Sequence, residues 1–341
     1  MRQRLICCLC ILAVSEPLFS INAGAQTPTI VKLATIAPKG TSPHQSLLRM
    51  AEQWRKASGG QVQVIIYTDG TQGGEAEAVR RMRVRQLQAT LLTVTGLAEI
   101  EPSTSALQNL PMMFHSLSEV DYVQQKLSPE MERRFLDKGF VVLTWGDLGW
   151  VRFFSRDPLA YPSDLKKMKI FTWAGDRYQA DIMKAAGYNP VPLETNDILT
   201  GLQTGLINAV PAPPMVALAG QFDTRAKWML EINWAPLVGG IVIDKKTWDG
   251  FSKDWQEAFR KAAKEAGEEI RQKGRSESEE SVVAMQKRGL RVEHNTPEIE
   301  SAWRKLAEEI YPKIRGTIVP AEMFDRVQAL LREYRTLKEP R

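Results

Sequence analysis

Cysteine and histidine are scarce in this 341-residue chain, three of each, and their positions remove whole classes of chemistry. Cys7, Cys8 and Cys10 fall within the first 25 residues, which are ordered like an export signal. Arg2 and Arg4 form a cationic start, Leu5 to Val14 is apolar, and Ala23-Gly24-Ala25 supplies a small-x-small cleavage pattern. Cleavage near Ala25 is expected to leave Gln26 as the new N-terminus, in the periplasm, on a chain without cysteine. Disulfides, thiolate nucleophiles and cysteine metal sites are then excluded. His44, His115 and His294 are far apart and lack the H-x-x-x-H spacing of a zinc helix, so no metal and no other cofactor is expected. No later stretch reaches the roughly 18 consecutive apolar residues that a membrane span needs.

Catalytic signatures are also missing. The sequence has no G-x-S-x-G elbow and no P-loop. Ser163-Asp164-Leu165-Lys166 matches the S-x-x-K spacing of acylating enzymes, but no S-D-N or K-T-G element follows. Pro162 instead makes this segment read as a helix start with Ser163 in a capping position. Glu268-Glu269 and Glu279-Glu280 are paired carboxylates on a polar helical stretch, where nothing would perturb them. The net charge is +5; losing two arginines and one glutamate with the leader takes it to +4. Basic residues alternate with acidic ones, as in Glu265 to Arg275, so a solvated surface is expected and no nucleic-acid partner.

What is present is an α/β rhythm. Ile30 to Ile36, Val62 to Thr68 and Thr90 to Thr95 read as strands. A helix opened by Pro43 and one beginning at Glu75 separate them. Leu117 to Lys138 reads as a helix, followed by strands at Phe140 to Trp145 and Trp150 to Phe154 with a Gly146-Asp147-Leu148-Gly149 turn between them. The rhythm then restarts with a strand at Lys169 to Thr172 and helices at Asp176 to Ala186 and Asn196 to Thr204. A mainly parallel sheet in two lobes with a cleft between them is expected. Pro236 to Asp244 reads as a strand returning the chain to the first lobe. A charged helical pattern runs from Asp254 to about Arg288, some 50 Å at 1.5 Å per residue, with Gly267 and Gly274 as candidate kinks. The expected division is residues 26–149 with 239–278 in the first lobe, and 150–238 with 279–341 in the second.

Candidate ligand contacts cluster near the junction. Trp145, Trp150, Phe171 and Trp173 stand at or near strand ends, where open α/β sheets bind ligands. Arg152 offers a fork for a carboxylate, with Arg177 as second choice. Thr93 and Thr95 offer hydroxyls from the first lobe. Asp176 is a candidate contact or only a helix cap. Gly70 to Gly74, leading into the helix at Glu75, can present backbone N–H groups or simply turn the chain, and Glu75 complements the positive helix end.

Three segments carry a family resemblance. Tyr161-Pro162-Ser163-Asp164-Leu165-Lys166-Lys167-Met168-Lys169-Ile170 is similar to a P-x-D-L-K-G-L-K-I pattern. Ala186 to Leu193 and Leu202 to Ala209 are similar to L-G-A-x-P-V-P and A-L-Q-T-G-x-x-D-G, and Leu107 to Phe114 to a leucine-proline element. In order and spacing the chain resembles the DctP-type solute-binding subunits of TRAP (tripartite ATP-independent periplasmic) transporters, from about Ile30 to Leu330. The resemblance implies a two-lobed fold with a long connecting helix, closing over an organic acid and delivering it to membrane permease subunits. It also exposes departures. The family's ligand-gripping arginine position is Phe171 here, and a D-G-Q-E-N-P run is replaced by Asn208-Ala209-Val210-Pro211-Ala212-Pro213, with Asn208 retained as a candidate contact. The expected ligand is therefore a small acid with an apolar or aromatic body. The alternative is an exported sensor subunit for a receptor kinase. A hydrolase is disfavoured by the absence of a nucleophile–base pair.

Overall fold

The computed structural model describes residues 27–338, so the proposed leader lies outside the described residues. Nine strands form one sheet: β1 (Thr29–Thr35), β2 (Val62–Tyr67), β3 (Ala89–Thr93), β4 (Phe140–Ser155), β5 (Lys169–Trp173), β6 (Asn189–Leu193), β7 (Ala209–Ala212), β8 (Trp228–Asp244) and β9 (Arg291–Glu293). Their order is β2-β1-β3-β8-β4-β7-β5-β6, with β9 beside β8.

The sheet is mixed, not mainly parallel. β1 pairs in parallel with β2 and β3, and β5 with β6 and β7. Between these two groups lie the long strands β4 and β8, antiparallel to each other and to β3 and β7. The first half of β4 pairs with the end of β8, and its second half with the start of β8. Each lobe thus has its own parallel group, and two shared strands cross between them.

The expected turn at Gly146 to Gly149 is instead an irregularity inside one continuous strand. The register slips between Asp147 and Trp150, and Gly149 sits at φ +75°, where a side chain would be strained. The Asp147 carboxylate holds this bulge by accepting from the Gly149 N–H at 3.0 Å. Two further strands escape a reading by β-propensity. β6 carries Pro190 and Pro192, tolerated because it is the sheet edge and pairs only with β5, and β7 carries Pro211. The third strand ends at Thr93, because the Thr93 hydroxyl accepts from the Thr95 N–H and starts a helix, Val94–Ile100. Nor is Ser163 the cap of its helix. The Asp164 carboxylate reaches back to the Tyr161 N–H at 3.0 Å.

The long helix Lys253–Lys287 is unbroken. Gly267 and Gly274 are points of close approach to β4. A Cβ on Gly267 would lie 2.8 Å from the Trp145 carbonyl, and one on Gly274 3.0 Å from the Asp147 carbonyl. Arg275 then ties helix to strand, donating from Nε and Nη2 to Asp147 at 2.9 and 2.7 Å and from Nη1 and Nη2 to Asp121 at 3.0 and 2.6 Å.

The helix Ala321–Lys338 departs from the expected division. Met323, Phe324, Val327 and Leu331 share a core with Val120, Val123 and Leu127 of the helix Leu117–Asp137. The last helix therefore packs on the first lobe, although sequence order had assigned it to the second. Trp303, in the preceding helix Pro297–Ile314, does pack with the second group, against Phe153 and Leu230.

Candidate functional site

A cavity of about 290 Å³ lies between the two parallel groups. The first group contributes Thr35 at the end of β1 and Ile36 just after it, Asp69 after β2, and Leu91 to Thr93 on β3. The second contributes Phe171 and Trp173 on β5, Val210 to Ala212 on β7, and Pro213, Met215 and Phe222 beyond it. β4 and β8 supply the floor, at Thr144 to Leu148 and Leu237 to Ile241.

The lining is apolar with a few placed polar groups, as expected for a small-molecule site. Among the described residues its charged side chains are Asp69, Glu75 and Asp147, all acidic. Glu75 is buried at the start of the helix Glu75–Arg83. It accepts from the Thr93 N–H and hydroxyl, each at 2.6 Å, and from the Gly96 N–H at 3.1 Å. Burial pushes its carboxyl above the ordinary range, the three donors pull against that, and nearby Glu194 adds to the rise. Asp147, by contrast, is engaged by Arg275.

Two contacts cross the mouth. Asn196 Nδ2 donates to the Asp69 carbonyl at 2.6 Å. Glu194 lies so close to Gly74 that a Cβ there would sit 2.2 Å from its Oε2. The lobes are closed on each other.

Of the residues singled out from sequence, Glu75, Thr93, Trp145, Phe171 and Trp173 line the cavity. The Trp145 indole is turned to Glu132, donating from Nε1 at 3.0 Å. Phe171 and Trp173 meet edge to face, with ring centroids 5.1 Å apart. The others lie elsewhere. Thr95 serves the helix start through its N–H. Arg152 is buried on β4 and donates from Nη2 to Glu279 of the long helix at 2.8 Å, away from the lining, while its Nε and Nη1 have no partner. Asp176 caps the helix Arg177–Ala185, accepting from the Gln179 N–H at 2.9 Å; burial pushes its carboxyl up. The Asn208 side chain accepts from the Lys169 N–H at 2.6 Å, joining β5 to the approach to β7. The Arg177 side chain lies outside the described residues. Trp150 packs on the first core rather than on the cavity.

Asp69, Asn196, Met215 and Phe222 were not found by sequence reading. Asp69 follows β2, Asn196 and Phe222 lie in single helical turns and Met215 on the short helix Pro214–Ala219; none belongs to a motif, and the fold brings them to the cavity. Among the described residues no group of three or more His, Cys, Asp or Glu is placed to hold a metal. No helix there is long and apolar enough to cross a membrane.

The family model described as bacterial extracellular solute-binding protein, family 7 (DctP) matches residues 33–316. The chain is 24% identical over 255 residues to the 2,3-diketo-L-gulonate-binding periplasmic protein YiaO of Escherichia coli, covering 74% of this chain and 76% of that one. It is 21% identical over 308 residues to the C4-dicarboxylate-binding periplasmic protein DctP of Rhodobacter capsulatus, covering 90% and 92%. Among solved structures, the sugar acid binding protein of Advenella mimigardefordensis in complex with galactonate superposes with a TM-score of 0.83. Its identity is 16%, and the match covers 90% of this chain and 99% of that one.

Proposed function

Because the chain belongs to bacterial extracellular solute-binding protein family 7, the DctP type, we propose that it is the solute-binding subunit of a TRAP-type transporter. It works outside the cytoplasmic membrane, after removal of a leader near Ala25. It captures a small organic acid by closure of the two lobes and delivers it to the membrane permease without altering it. The observation carrying this reading is the cavity enclosed between the two parallel groups, with contributions from both and contacts across its mouth. A ligand that touches both lobes favours the closed state by its differential contacts there.

The relatives are named for a diketo sugar acid and for C4-dicarboxylates, and the solved structure holds galactonate. Acids are the common class. In this chain Phe171 occupies the position at which the family resemblance expects an arginine, and the cavity wall is mostly apolar. A polyhydroxylated acid would leave many polar groups without partners against such a wall. We therefore infer an acid with an apolar or aromatic body. Its carboxylate is assigned to one of the two cations considered from sequence: Arg152, released from Glu279, or Arg177.

The test is a thermal-shift screen of residues 26–341 against aliphatic, aromatic and sugar acids and their primary amides. A ligand at about 100 times its Kd adds about 2.7 kcal/mol to stability. Stabilisation by an acid but not its amide, lost in Arg152→Ala or Arg177→Ala, is the expected result and identifies the cation. Equal stabilisation by acid and amide would reject the carboxylate assignment.

A further inference from the structure

The stretch Asp69 to Ala76 of the first lobe meets the second lobe at three points. Asn196 donates to the Asp69 carbonyl. The Glu194 carboxylate lies over Gly74, and Gly175 faces Ala76, where a Cβ on Gly175 would be 3.6 Å from that of Ala76. Glu194 and Asn196 flank Thr195 just beyond β6. Thr195 and Asn196 line the main cavity, whereas Gly74 and Glu194 do not. A ligand can therefore bear on the tip of this connection while Glu194 acts outside the cavity.

Gly74 is a seat shaped by what it lacks. A Cβ there would lie 2.2 Å from Glu194 Oε2, 3.2 Å from Oε1 and 3.0 Å from Cδ. Its φ of −66° is open to any residue. The backbone does not call for glycine at this position; the neighbour does.

Gly74 also begins the helix Glu75–Arg83, whose first N–H groups have no side-chain cap. Such groups need acceptors, and a carboxylate beside them is favourable. The Glu75 carboxylate is committed elsewhere, to Thr93 and Gly96. Its like charge opposes Glu194, so the contact rests on fit and on the helix start rather than on an ion pair.

We propose that Glu194 is a positioning residue for solute capture. Seated on Gly74, it holds the closed lobes together without touching the solute, and it comes free when they part. This rests on the solute-binding reading above and adds a contact that sets the balance of open and closed forms for any ligand. An interaction present in only one of two states shifts their ratio by its own free energy.

Ala76 and Gly175 supply a readout that needs no ligand. Their Cβ separation suits a disulfide, and residues 26–341 contain no cysteine. In an Ala76→Cys/Gly175→Cys variant of residues 26–341, the rate of cross-linking under a fixed oxidant reports how often the lobes meet. Glu194→Ala in this background should slow it about two- to tenfold, the range for one net hydrogen bond. Gly74→Ala should slow it equally, because the flexible carboxylate gives way to the new Cβ. The combined variant should be no slower than either one. An unchanged rate in either single variant, or slowing that adds up in the combined one, overturns the seat. So does a parent variant that never cross-links. These failures leave the solute-binding reading standing, because the thermal screen tests it separately. The expected rates in a protein that no solute stabilises would keep the seat and count against that reading.

Discussion

Glu75 is a carboxylate in a place that disfavours its charge. Three donors from Thr93 and Gly96 hold it, yet burial raises its pKa above the unfolded value. A raised carboxyl binds its proton more readily in the folded state, so its stabilising effect is greatest below the unfolded pKa. That effect fades as pH rises through the folded value. Glu75→Gln cannot ionise, although its amide nitrogen must face one donor. The variant should be less stable than the wild type at about pH 4, and the gap should narrow toward about pH 8. Thermal melts of both proteins across that range check it; a gap that widens with pH would reject the assignment. At this scale the sequence marked Glu75 and Thr93 through position alone, at a helix start and a strand end. Arg152, the first candidate cation, is held by Glu279, because which face of β4 a side chain takes depends on the slips at Val142, Asp147 and Val151, and no local pattern encodes those.

Among the elements, the long helix depends on two of its glycines. Gly267 and Gly274 stand seven residues apart, two helical turns, on the face that meets β4. Their missing side chains let the backbones approach, and the helix runs unbroken through both. Gly267→Leu would gain about 1 kcal/mol of helix propensity but force the helix off Thr144 and Trp145. Overpacking should outweigh that gain and destabilise the protein by about 2 kcal/mol, a fall in Tm of a few degrees. Gln272→Leu, on the exposed side of the same helix, should leave Tm nearly unchanged. Equal effects at the two positions would contradict the close-approach role. The prolines of β6 and β7 also take their meaning from their place in the sheet. They argue against a strand until the element is known to lie at an edge or to pair weakly.

For the molecule as a whole, β4 and β8 are, among the described residues, the only strands running through both lobes, and Arg275 fastens the long helix to the β4 bulge. Closure is marked by Asn196 reaching the Asp69 carbonyl. Asn196→Ala removes one hydrogen bond present only when the lobes meet. Affinity for a ligand identified by the thermal screen should fall about two- to tenfold. Small-angle scattering of the unliganded variant should show a larger radius of gyration than the wild type. Unchanged affinity and radius would mean that this contact does not bias the equilibrium.

The sequence by itself determined the α/β class, the two-lobed plan, the long helix and the family. All of these rest on local periodicity, turn residues and ordered motifs, which act over a few residues at a time. Only the tertiary structure decided that two shared antiparallel strands split the sheet and that the last helix returns to the first lobe. It also decided that Asp69, Asn196, Met215 and Phe222 line the main cavity. The physical reason is the same in each case. Strand pairing, helix docking and burial are settled between segments far apart in the chain, and no short stretch of residues carries that information.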